Sequence, residues 1–174
     1  MKNNLIALAV LASSTFGMSA FAADGEVSFT GEIIDVACQV TNSVGNPLEV
    51  KLGKVSKSTF KAAGDTASAT EFTLQLTACP AGINAAQVKF DGTSVNGDNS
   101  ILALTQVGGV AKGVGIQLSD DSNNVLPLFT NSKAYTLKPS VTNDLKFVAR
   151  YIATSATVDA GTANATASFT INYN

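Results

Sequence analysis

The chain has 174 residues, 45% of them hydrophobic and 14% charged, with 11 Lys and Arg against 13 Asp and Glu and a net charge of −2. Beyond Lys2 the basic residues are scattered from Lys51 to Arg150, which argues against a nucleic-acid or other polyanionic partner. The absence of histidine removes Ser-His-Asp and Cys-His catalysis and most zinc, copper and non-haem iron sites.

The first element in chain order is a leader. Lys2 gives a positive start, Leu5 to Ala12 is an apolar run, and Ala20-Phe21-Ala22 is an A-x-A cleavage signal. Residues 1–22 therefore read as a signal peptide, with the mature chain expected to start at Ala23. The apolar run is too short to span a bilayer, and no membrane span is expected in the mature chain.

Next comes GEVSFTGEIIDVAC, residues 25–38, whose apolar alternation changes phase halfway. In an extended chain Val27, Phe29, Gly31 and Ile33 share one face, while Ile34, Val36 and Cys38 share the other. A β-bulge at Ile33-Ile34 is one explanation. The other is that the two halves serve different cores, a reading that suits Gly31, since glycine weakens a strand unless backbone must approach closely there.

Cys38 and Cys79 are the two cysteines of an exported chain, and an even count in an oxidising compartment predicts one disulfide. Closing that loop is worth roughly 4 kcal/mol by the loop-entropy argument. No C-x-x-C spacing suggests a redox pair.

Period-2 segments follow at 48–52, 72–79, 87–90, 114–118, 145–152 and 167–173, separated by turn-rich runs such as Asp91-Gly92, Asn96-Gly97-Asp98-Asn99 and Asp120 to Asn124. Residues 56–63 predict a helical turn or two at most. Short alternating strands punctuated by turns predict an all-β sandwich. From the strand of Cys38 onward there are about six principal strands, whereas an immunoglobulin-type sandwich needs at least seven. The last strand ends Asn172-Tyr173-Asn174, and an open apolar edge beside it would be an aggregation hazard.

Candidate chemistry is sparse, and no enzymatic activity and no cofactor or metal site is expected. Asp120-Asp121 sits in a turn-like run without a calcium-loop pattern. The glycines at 108, 109, 113 and 115 lack the lysine of a phosphate loop and read as turn and close-packing positions. Asn164-Ala165-Thr166 matches a glycosylation sequon. Sugar sites usually stack rings on exposed aromatics, but there is no tryptophan; Tyr151 and Tyr173 fall in predicted strands, leaving Tyr135 as the one loop tyrosine.

Taken together, these segments resemble the subunits of chaperone–usher pili, in particular the type 1-like major pilins. The resemblance runs over the whole mature chain: the extension Val27-Ser28-Phe29-Thr30-Gly31-Glu32-Ile33, Cys38 in the first strand, Phe72 to Cys79, Gly113 to Leu118, Ala149 to Thr154, and the penultimate Tyr173. It implies an incomplete immunoglobulin-like β-sandwich lacking its seventh strand, over residues 34–174, preceded by a donor-strand extension at 23–33. A periplasmic chaperone would first fill the gap. At the outer-membrane usher the extension of the next copy, through Val27, Phe29, Gly31 and Ile33, would replace it. Such head-to-tail contacts propagate into a fibre on the cell surface. Tyr173 and the carboxylate of Asn174 would dock on the chaperone, although Tyr173 also suits packing at the end of its strand. The rival readings are a minor or adaptor subunit, and a self-contained secreted sandwich that binds a carbohydrate.

Overall fold

The computed structural model describes residues 25–31, 33 and 37–173. The chain divides into two units, residues 1–33 and 34–174. Among its described residues the first unit has no regular secondary structure. The expected leader, Ile34 to Val36 and Asn174 lie outside the described residues.

The second unit is all-β apart from one 3-10 turn at Lys57–Thr59, within the stretch where a helical turn is predicted. Its first sheet contains β1 (Gln39–Val40), β2 (Thr66–Thr77), β8 (Asn143–Ala153), β6 (Val114–Asp120), β5 (Asp98–Leu102) and β4 (Ser94–Val95), in that order. The second contains β7 (Tyr135–Thr136), β3 (Ala85–Asp91) and β9 (Ser168–Tyr173). Every ladder between these strands is antiparallel.

The two sheets meet through the inward faces that the alternation predicts. Along β8, Leu145, Phe147, Ala149 and Tyr151 are buried while Asp144, Lys146 and Val148 are more exposed. Phe147 of the first sheet and Phe90 of the second pack edge to face at 5.2 Å between ring centres, and Phe72 stands directly across from Phe147 on β2. Such ring pairs add to the burial of their area. Leu74, Leu76 and Val88 complete this fully buried centre.

Turn chemistry fixes the register at the margins. Asn96 and Gly97, both at positive φ, join β4 to β5 in the manner of a two-residue hairpin. Gly115 is required by packing: a Cβ there would lie 2.4 Å from Ile101 Cγ2 and 2.9 Å from the Leu102 carbonyl oxygen. Gly113 combines φ +70° with a Cβ position 2.2 Å from the Thr157 carbonyl oxygen, so no side chain fits.

Two expectations are corrected. Residues 48–52, predicted as a strand, bury Leu52 and half-bury Val50 but leave Leu48 exposed, and they join no sheet among the described residues. Tyr135, predicted in a loop, lies in β7; its hydroxyl donates to the Lys146 carbonyl at 2.9 Å and its ring packs 5.5 Å from Phe147. Burial pushes its phenol pKa up, with Asp121 and Asp120 adding to the shift.

Candidate assembly interface

Strand β9 carries Phe169, Ile171 and Tyr173 toward the core and Ser168 and Thr170 away from it, as a period of two dictates. One edge is fully used: Ala86 to Asp91 of β3 pair with Tyr173 to Ser168 in unbroken register. The other edge pairs with no strand among the described residues. The inward side chains are consequently only half-buried, although they touch the same core that encloses Val88 and Phe147.

The position of that edge is informative. In chain order and pairing, β1, β2, β8 and β6 correspond to strands A, B, E and D of an immunoglobulin sandwich, and β3 and β9 to C and F. The seventh strand, G, lies beside F in a complete sandwich. It is this place beside β9 that no described strand fills.

A second stretch of main chain is equally unpartnered. After β1 pairs with the end of β2, the Thr41 N–H donates to the Gln75 carbonyl and the Asn42 side chain accepts from the Gln75 N–H, and the chain then leaves that edge. Among the described residues, 47 to 55 make no backbone–backbone hydrogen bond, and their one main-chain contact is the Leu52 carbonyl, which accepts from Ser68 Oγ. Yet Leu52 is buried, and Val50 and Val55 are packed against the core. Most of the run is exposed, so water can satisfy its main-chain groups, and it leaves a stretch of chain free to pair along the edge of the domain. Close to the start of β9, Thr93, Ala103, Leu104, Thr105, Gln106 and Thr166 line a cavity of about 290 Å³.

The disulfide lies at the other end of β9. Cys38 and Cys79 are bonded and buried. The Tyr173 hydroxyl donates to the Cys38 carbonyl at 3.5 Å, and burial raises its pKa. Tyr173 therefore packs the end of the last strand; Asn174, its expected companion in docking, lies outside the described residues.

In the N-terminal unit, Val27, Phe29 and Ile33 are exposed at 74%, 92% and 99%, and nothing approaches the position of a Cβ on Gly31. Three large apolar side chains at alternate positions are thus presented to solvent.

Of the acid pair, Asp120 is tied into the fold, while Asp121 is exposed and paired with Lys133. Asp120 is buried in a turn where one carboxylate oxygen accepts from the Ser122 and Asn124 N–H groups and the other from the Asn124 amide. Desolvation works to raise its pKa, but these hydrogen bonds outweigh it and hold the carboxyl below its ordinary value.

Comparison with known proteins decides what such an edge belongs to. A family model described as "Fimbrial protein" matches residues 27–174. The chain belongs to the fimbrial protein family. It is 37% identical to long polar fimbria protein A of Salmonella typhimurium, over 97% of this chain and 93% of that one. It is also 37% identical to the type-1 fimbrial protein subunit of Serratia marcescens, over 99% of each. Among solved structures, a type I fimbria protein of Burkholderia pseudomallei is 39% identical, with a TM-score of 0.61 over 80% of this chain and 91% of that one. The P pilus rod subunit PapA, at 23% identity, shares the fold with a TM-score of 0.65 over 80% of this chain and all of that one. This fimbrial protein is a structural pilus subunit, exported to the cell surface.

Proposed function

We propose that this subunit forms the pilus shaft by donor-strand exchange. Residues 1–22 act as the export leader, 23–33 as a donor strand, and 34–174 as the acceptor domain. The observation that carries this reading is the open edge of β9, at the place of an immunoglobulin sandwich's seventh strand. A β-strand added there satisfies main-chain groups of β9, and the unpaired run at 47–55 offers further partners.

Side chains supply specificity. Val27, Phe29 and Ile33 of one copy enter the half-covered apolar face of the next, with Gly31 allowing close backbone approach between them. Full burial is worth about 1.5–3 kcal/mol for each large side chain. Ladder hydrogen bonds add about 0.5–1.5 kcal/mol each. Ordering the extension opposes this by about 1–2 kcal/mol per residue. Before assembly a periplasmic chaperone occupies the same edge and engages Tyr173 and Asn174, and an outer-membrane usher exchanges it for the next subunit.

The test is a pair of substitutions in the full chain. Phe29→Asp removes fibres seen by electron microscopy, because a carboxylate would be carried into an apolar site. Thr30→Asp, on the opposite face of the extended segment, leaves them intact. Fibres of normal yield from the Phe29→Asp chain would exclude the donor role.

A further inference from the structure

Among the described residues the main chain of 47–55 is hydrogen-bonded at one point, and the residue that holds it there is conformationally unusual. On β2, Ala67 pairs with Tyr151 and Thr70 with Ala149, so Ser68 and Ala69 stand together against Arg150. This is a β-bulge. Ser68 has φ +56°, in the left-handed region, where the first residue of such a bulge is usually glycine. Serine accepts a strain there that glycine would not carry. What it gains is a hydroxyl, and the hydroxyl donates to the Leu52 carbonyl.

The path of the chain shows why this contact matters. Val40 pairs with Leu76 at one end of β2, and Leu52 reaches Ser68 near the other. Residues 41–52 thus travel the length of β2, yet the run from 47 onward makes no ladder with it. Without a second anchor nothing but side-chain packing would fix where the unpaired groups of 47–55 stand.

We infer that Ser68 is a positioning residue for strand capture: its bulge holds the Leu52 carbonyl and so sets the wall on which an incoming donor strand pairs. The inference rests on the donor-strand reading above. It is distinct from a role in the stability of the domain, because glycine at 68 would relieve the strained backbone while losing the clamp. Bulges next to functional sites often re-aim a side chain, and this one turns the Ser68 hydroxyl to Leu52 while the β2–β8 ladder continues on both sides of it.

The test compares fibres grown from the full chain with those of Ser68→Gly and Ser68→Asn. The Ser68→Gly subunit, once disassembled, should unfold at nearly the wild-type temperature. Its fibres should release subunits in guanidinium about tenfold faster, the size expected for one lost hydrogen bond, with amides 49–55 exchanging faster to match. Asparagine tolerates the left-handed region and offers an amide donor, so Ser68→Asn should restore release to within about twofold of wild type. Equal release from wild-type and Ser68→Gly fibres overturns the proposal. So does a Ser68→Gly subunit destabilised as much as its fibre, which would make the role merely structural. Should that variant fail to fold, Ser68→Asn against Ser68→Asp decides: the ionised Asp accepts but cannot donate, and release no faster than for Asn overturns the clamp. If wild-type fibres protect amides 49–55 no better than the disassembled subunit does, the clamp fails; if the β9 amides gain no protection either, the donor-strand reading fails with it.

Discussion

Strands β8 and β9 are alternating apolar segments of the same domain, and they end in opposite states. β8 has β2 on one edge and β6 on the other, and its inward side chains are sealed, with Phe147 fully inaccessible. β9 has β3 on one edge and no described strand on the other, and Phe169, Ile171 and Tyr173 stay half-covered. Alternation specifies which face of a strand turns inward. It says nothing of how many neighbours the strand has, and that number separates a closed core from one with an open edge.

The sharpest way to break the comparison is at its sealed side. Phe147→Ala removes the ring that meets Phe72, Phe90 and Tyr135, and should cost about 3–5 kcal/mol. Thermal unfolding of the disassembled subunit would register it whether or not fibres form. Replacing both Cys38 and Cys79 by serine should come next, at about 4 kcal/mol for the sequence separation of 41. It should also free the Cys38 end of β9, where the Tyr173 hydroxyl is held. A drop in midpoint as small as that of a surface substitution would mean that the barrel of contacts around β2 and β8 suffices alone.

Phe169→Ala probes the open side. The ring is half-buried in the subunit and lies 6.3 Å from Phe90, so the loss there should be about 1 kcal/mol. If a donor strand fills that edge in the fibre, the same substitution should cost more there, read as a larger fall in the guanidinium midpoint of fibre dissociation than in that of subunit unfolding. Equal losses in the two states would mean that β9 is as complete alone as β8.

Much of this was legible in the residues, for physical reasons that can be named. Five of the six strands of five residues or more, β2, β3, β6, β8 and β9, coincide with segments of apolar alternation, and the disulfide follows from two cysteines in an exported chain; β5 escaped because Asp98-Asn99, with the preceding Asn96-Gly97, reads as a turn. The first six residues of β2, Thr66 to Glu71, were not visible, because their pairing with β8 relies on main-chain bonds and leaves no apolar periodicity. β7 was missed because two residues carry no period, and Tyr135 was misplaced with it. Residues 48–52 show the opposite failure: Leu48, Val50 and Leu52 alternate as a strand should, but a ladder needs a second chain segment at its edge, and sequence periodicity does not report one. The Ser68 clamp was beyond reach, since nothing in the run Thr66-Ala67-Ser68-Ala69-Thr70 signals a left-handed serine.

The smallest expected effect lies on the outer face of the sealed pair. Lys146 of β8 contacts Glu71 of β2 at 3.1 Å, and both side chains are about half exposed. Water and salt screen such a pair, and holding two long side chains together offsets much of the attraction. Glu71→Gln should therefore change the unfolding free energy by less than about 0.5 kcal/mol, with little dependence on added salt. A loss of several times that would shift the basis of the β2–β8 pairing from its buried face to its charged rim. The contrast with β9 would then rest on electrostatics, and high salt should loosen β8 while leaving β9 unchanged. The sealed ring cluster beneath the pair argues for the first outcome, because Phe72 and Phe147 face each other in register directly beside Glu71 and Lys146.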